Sequence, residues 1–120
     1  MNEPSTVTVT AVPDRLDALE LPPHEVLEGS PHAGLRFTAK SADDEAAAGF
    51  WSCEVGRYEF VFDYDEFVYL IRGEIVITEA GSNRTLVLRA GESAHFPQGT
   101  TSIWQVTQPV LKYFVARRPY

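Results

Sequence analysis

From Gly49 onward, turn-forming residues interrupt the chain about every ten positions, and Val, Ile, Phe, Tyr and Thr fill the stretches between them. The stretches are 50–54, 58–62, 66–72, 74–79, 85–89, 93–96, 101–107 and 110–117. They are separated by Gly56, Asp63-Tyr64-Asp65, Gly73, Gly81-Ser82-Asn83, Gly91, Pro97-Gln98-Gly99 and Pro109. Such spacing, with β-branched and aromatic residues between the turns, specifies an antiparallel all-β sandwich or barrel. No stretch sustains a 3.6-residue apolar period, so helix is confined to a turn or two at 14–20 and 43–48. A chain of 120 residues can bury one core and not two.

The first 48 residues are broken by Pro13, Pro22, Pro23 and Pro31 and are too poor in apolar side chains to fold alone. They read as an arm, residues 1–34, packed on a barrel domain of residues 35–120. Within the arm, residues 6–12 alternate Thr and Val and are expected to form an edge strand. An edge of that kind invites pairing across a two-fold axis, so a homodimer with residues 1–12 partly at its interface is expected.

Charge and cysteine content exclude several functions. A formal charge of −7 disfavours nucleic acid and anionic membrane as partners, since both reward basic patches. No apolar run approaches the ~20 residues that span a bilayer. The N-terminus lacks the basic start and apolar stretch of a secretory signal. Cys53 is the only cysteine, which excludes an internal disulfide and points to a reducing, cytoplasmic setting.

Strand alternation sorts the side chains, because residues two apart share a face. Tyr58, Phe60 and Phe62 lie together, as do Glu66, Val68 and Leu70, and as do Ser102, Trp104 and Val106. The last stretch leaves its orientation open: Val110, Lys112 and Phe114 alternate with Leu111, Tyr113 and Val115, and both sets are apolar enough to face a core.

Two motifs give these faces a meaning. Glu66, six residues, then Gly73, and Gly91, five residues, then Pro97-Gln98-Gly99, resemble the two signatures of the cupin superfamily. The resemblance implies a jelly-roll barrel, the double-stranded β-helix, with helical turns only. Gly49-Phe50-Trp51-Ser52-Cys53, Gly56, Tyr64-Asp65-Glu66-Phe67, Gly73, Trp104 and Lys112-Tyr113-Phe114 narrow it further. They resemble the small single-domain cupins that include ureidoglycine aminohydrolase domains and the ethanolamine-utilisation cupin. This likeness covers residues 35–117 and implies that Trp51, Glu66, Trp104 and Lys112 occupy characteristic positions of the group.

In a metal-binding cupin, histidines would stand where this chain has Phe60, Phe62 and Ser102. Phe cannot ligate a cation, and one carboxylate with one hydroxyl makes no usable site for Zn, Mn or Fe. The resemblance therefore implies no metal and no cofactor. His95 reads as a hydrogen-bonded sheet histidine, and Cys53 as a buried small hydrophobe.

Mapping the ligand positions onto this chain turns the three faces inward, around an aromatic cavity holding Glu66. The expected ligand-binding residues are Trp51, Tyr58, Phe60, Phe62, Ser102 and Trp104. Glu66 is the candidate acid or base, because desolvation by aromatic walls suits a carboxylate to that work. Lys112, if it faces inward, is the electrostatic partner. Three functions fit: a metal-independent isomerase, lyase or hydrolase acting on a small molecule, a binder of a small molecule without turnover, and a structural dimer. The fold does not choose among them.

Overall fold

The computed structural model describes residues 6–30 and 32–118. Its strands are β1 (Asp17–Leu19), β2 (Val26–Glu28), β3 (Ala33–Lys40), β4 (Ala46–Cys53), β5 (Gly56–Val61), β6 (Asp65–Glu79), β7 (Thr85–Arg89), β8 (Ser93–Phe96) and β9 (Thr101–Arg117). The one helical element among the described residues is a 3₁₀ turn at Pro23–Glu25. All pairings are antiparallel. β9 is the hub, with β4 on one side of its C-terminal half, β5 beside its N-terminal half, and β6 along its whole length. The sheet continues from β4 to β3 to β1 and from β5 to β2, while β7 and β8 line the far edge of β6. This is the curled jelly-roll arrangement that the resemblance implies.

Two pairs of expected strands are each a single strand. The break at Gly73 became a bulge within β6, and that at Pro109 a bend within β9. Register shifts cluster between Leu70 and Ile75, opposite Pro109. Gly73 sits at φ +95°, and a Cβ there would strike the Pro109 carbonyl. Only glycine allows that close approach, and Pro109, lacking an N–H, is tolerated where the ladder is interrupted. The bulge lets one strand bend across both halves of the barrel instead of ending.

The second motif acts as a clasp. Gly99, at φ +89°, donates its N–H to the Phe62 carbonyl at 2.7 Å, and Phe62 donates to Thr100 at 2.9 Å. The Pro97-Gln98-Gly99 turn thereby holds Phe62 against the barrel wall.

Two helical expectations fail. Residues 14–20 contain no helix, since 17–19 form β1 against β3. Residues 43–48 are likewise not helical. Ser41 Oγ donates to Asp43 Oδ1 at 2.6 Å, Asp43 Oδ1 accepts from the Glu45 N–H, and Ser41 Oγ accepts from Ala46. These side chains offer the backbone a turn in place of a helix, and Asp44 adopts φ +59° within it. Residues 6–12 pair with no strand among the described residues. Propensity is met there only if another edge is supplied; residues 1–5 lie outside the described residues.

Candidate functional site

Burial alternates along the strands that carry the expected site residues. On β6, Glu66, Val68 and Leu70 are buried while Phe67 and Tyr69 are exposed; on β9, Ser102, Trp104 and Val106 are buried. The open orientation of the last stretch is resolved by pairing: Trp51 lies opposite Lys112, and Lys112 opposite Leu70. Lys112 therefore points inward.

The result is an ion pair inside the barrel. Lys112 Nζ donates to Glu66 Oε2 at 2.8 Å, and both side chains are only 6% exposed. The ammonium also lies 4.5 Å from the Trp51 ring and 4.9 Å from the Trp104 ring. Each such cation–π contact contributes about 0.5–2 kcal/mol, toward the upper end when desolvated. Aromatic faces and one carboxylate together offset the cost of burying the charge.

Around the pair opens a cavity of about 810 Å³. Trp51, Phe60, Phe62 and Trp104 form its aromatic wall, and Glu66 and Lys112 its charged spot. The rings pack edge-on: Trp104 meets Phe60 at 4.9 Å and Trp51 at 5.9 Å. Edge-to-face pairs of this kind contribute about 0.5–1.5 kcal/mol beyond the area they bury. Lys40, Asp44, Glu45 and Arg118 also line the cavity, so its apolar rings share it with more charged groups than most small-molecule pockets carry.

Tyr58 and Ser102 are brought close but do not line the cavity. Ser102 Oγ accepts the Trp104 indole N–H at 3.0 Å, fixing the ring. Tyr58, fully buried, stacks on Phe60 and donates to the Glu54 carbonyl at 2.9 Å. Both hold wall residues in place without lining the cavity themselves.

Sequence reasoning missed the other half of the cavity. Leu19, Leu21 and Glu25 close one side, with Leu35 and Phe37 from β3 and Tyr64 beside Glu66. Burial pushes the Glu25 carboxyl up from its ordinary value, against the opposing effect of His24. Tyr64 is pushed up to about 12, first by burial and then by the Glu66 charge. Tyr64 stands in the Tyr64-Asp65-Glu66 run, so a signal existed. Nothing local marks the leucines.

His95 lies on the opposite, outer face. Its ring stacks on Phe67 at 4.4 Å and its Nε2 is 3.1 Å from Asp65 Oδ1. That bond, with one from the Gln98 N–H, holds the Asp65 carboxyl below its ordinary 3.8. Cys53 is buried, and desolvation pushes its thiol up. Neither reaches the cavity.

A cupin metal would need donors that this site does not have. Phe60, Phe62 and Ser102 stand where the resemblance calls for histidines, Ser102 is engaged by Trp104, and Glu66 by an ammonium. Among the described residues no three His, Cys, Asp or Glu side chains gather as a metal cluster. The donor set does not fit a divalent cation.

Fold and cavity define the chain as a cupin. Residues 40–114, well over half of it, match the model of the EutQ-like cupin domain, and the chain belongs to that family. It is similar to the ethanolamine utilization protein Q from Salmonella typhimurium LT2, with 22% identity, TM-score 0.64, and 74% of this chain and 72% of that one covered. The Clostridium difficile EutQ protein is similar at 18% identity and TM-score 0.67, covering 85% and 76%. A DUF861 family protein of unknown function from Pseudomonas syringae reaches TM-score 0.77 at 18% identity, covering 85% of this chain and 44% of its own. No curated protein matches the chain. At such identities the likeness is one of fold.

Proposed function

We propose that this cupin binds a small molecule in its aromatic cavity and that Glu66 and Lys112 act on it without a metal. The observation that carries this reading is the 2.8 Å ion pair set in the wall of a cavity of about 810 Å³. A buried pair is weak evidence for stability, because apolar residues of the same volume often serve as well. Its position at a cavity large enough for a metabolite gives it another use.

The chemistry follows from the atoms. The Lys112 bond uses Glu66 Oε2, which leaves Oε1 for a cavity occupant. Glu66 takes a proton from a bound C–H or O–H, and the Lys112 ammonium, with N–H groups beyond the one given to Glu66, receives the oxygen on which negative charge develops. Proton transfer with charge stabilisation supports isomerisation, elimination or hydrolysis. Trp51, Phe60, Phe62 and Trp104 hold the apolar part of the molecule.

A thermal-shift screen of small carbonyl and carboxylate metabolites, followed by Glu66→Gln on any hit, tests the reading. Catalysis predicts that Glu66→Gln loses turnover and keeps most of the affinity. A change in affinity with no turnover in either protein makes the site a binder. No hit across the screen removes support for a small-molecule site.

A further inference from the structure

Building on the roles given above to Glu66 and Lys112, we propose that Tyr64 is the acid that works with that base, and that the cavity removes water from a β-hydroxy carbonyl compound. Tyr64 directly precedes β6 and lines the cavity two residues before Glu66. Two residues of extended chain span about 7 Å at most, so one small molecule can meet both side chains. The Tyr64 ring meets Phe62 edge-on, with centroids 6.0 Å apart, which fixes the phenol in the wall.

The phenol is free to act. Tyr64 is half-buried, yet its hydroxyl makes no hydrogen bond with any described residue. No side-chain polar atom among the described residues is both buried and unpartnered, so this hydroxyl is one that solvent reaches. A tyrosine buried only for packing bonds a nearby acceptor, as Tyr58 does with the Glu54 carbonyl.

Charge sets what the phenol can do. Burial first, then Glu66, Asp63 and Glu25, push it up to about 12. At neutral pH it therefore holds its proton and can give one but not take one. Glu25 belongs to the same cavity, which it lines from the 3₁₀ turn. Glu66 and the phenol are coupled: once Glu66 takes a proton, its charge is gone and the phenol beside it becomes the stronger acid.

That coupling suits one class of reaction. A carboxylate moving a proton between neighbouring carbons needs no second donor, whereas loss of water needs a base and an acid on one molecule. Glu66 Oε1 takes a proton from the α-carbon, and the C–H electron pair enters an enolate whose oxygen the Lys112 ammonium holds. The enolate pair then forms the α,β double bond as the bond from the β-carbon to oxygen breaks. The departing hydroxyl takes the Tyr64 proton and leaves as water. Proton return from Glu66 to the phenolate resets both groups, and no oxidant or reductant is consumed. Trp51, Phe60, Phe62 and Trp104 hold an apolar substituent on the β-carbon.

The β-hydroxy ketone formed from benzaldehyde and acetone is the probe, since its ring suits the aromatic wall and its dehydration yields an enone that absorbs in the near ultraviolet. Exchange of its methylene protons in heavy water, followed by NMR, reports Glu66 and Lys112; enone formation requires Tyr64 as well. Tyr64→Phe keeps the ring against Phe62 and strands no partner, so its Tm should match the wild type. It should keep methylene exchange within about two-fold and lose enone formation by at least about 100-fold, the contribution of a general acid. Glu66→Gln, assayed below its Tm, should lose both. Enone formation at the wild-type rate in Tyr64→Phe overturns the proposal, as does a wild type that exchanges without dehydrating, and in both cases the roles of Glu66 and Lys112 stand. A wild type that does not exchange, or exchange that survives Glu66→Gln, overturns the proposal and those roles together.

Discussion

Replacing Glu66 with Gln preserves side-chain shape while removing the charge, so packing alone predicts a silent change. The ion pair reverses that expectation. Lys112 Nζ is 2.8 Å from Glu66 Oε2 and both side chains are 6% exposed, so the substitution strands a buried ammonium. Breaking one partner of a buried pair costs about 3–5 kcal/mol. Cation–π contact with Trp51 and Trp104, about 0.5–2 kcal/mol, stays in place and sets the expected loss at the low end, about 3 kcal/mol. Lys112→Met should cost a similar amount by stranding the carboxylate. The double variant removes both charges and leaves only the introduced side-chain amide to satisfy, about 1–3 kcal/mol. It should therefore be far more stable than the sum of the singles, with a coupling of at least about 2 kcal/mol. Guanidinium unfolding followed by tryptophan fluorescence measures all four proteins. The singles should also lower Tm by about 9–18 °C, at roughly 3–6 °C per kcal/mol in a domain of this size. Single losses below about 1 kcal/mol that add in the double variant would refute the reasoning. The cavity wall would then be as hydrated as a surface, and the pair no more than an exposed salt bridge.

Trp104→Ala should cost about 3–5 kcal/mol, since the ring is fully buried among Phe60, Phe62, Phe96 and Trp51, and chemical unfolding reads the loss. Tyr64, held at about 12 by burial and by Glu66, should ionise at lower pH in Glu66→Gln, a shift visible in the ultraviolet tyrosinate band during an alkaline titration. Because its folded value is raised, its contribution to stability is intact below the unfolded value near 10 and is lost as pH climbs through about 12. His95→Ala should let the Asp65 carboxyl return toward 3.8, as carboxyl NMR would show. With its folded value depressed, Asp65 stabilises the fold above 3.8, and this contribution is lost as pH falls through the folded value. The protein should purify with well under one transition metal per chain, and elemental analysis finding a retained stoichiometric Zn, Mn, Fe or Ni would contradict the reading of Phe60, Phe62 and Ser102.

The order of strands from Gly49 onward was legible because turn residues and side-chain alternation are local properties. β7 and β8 carry the bounds expected of them, at Thr85–Arg89 and Ser93–Phe96. Local signals misled where tertiary contact competes with them. Gly73 and Pro109 each look like a strand end, yet they face one another, and their mutual fit turns two ends into one bend. Asp43 to Ala48 has helical composition, but Ser41 and Asp43 bond the backbone into a turn that β4 then leaves. The helical reading of 14–20 lost to an edge of β3 that only the folded sheet provides.

By itself the sequence determined that the chain is an all-β cupin and which residues share a face with Glu66, since both depend on spacing along one strand. It also put Phe60, Phe62 and Ser102 where the resemblance to metal-binding cupins calls for histidine. Tertiary structure alone decided that Lys112 points at Glu66, because a strand apolar on both faces has no local preference and takes its orientation from Trp51 and Leu70 across the ladder. It alone decided that Leu19, Leu21 and Glu25 wall the cavity, and that Ser102 and Tyr58 hold its rings without lining it. A side chain's partner across a barrel depends on register between strands distant in sequence, and register is set by the whole sheet rather than by any one of its strands.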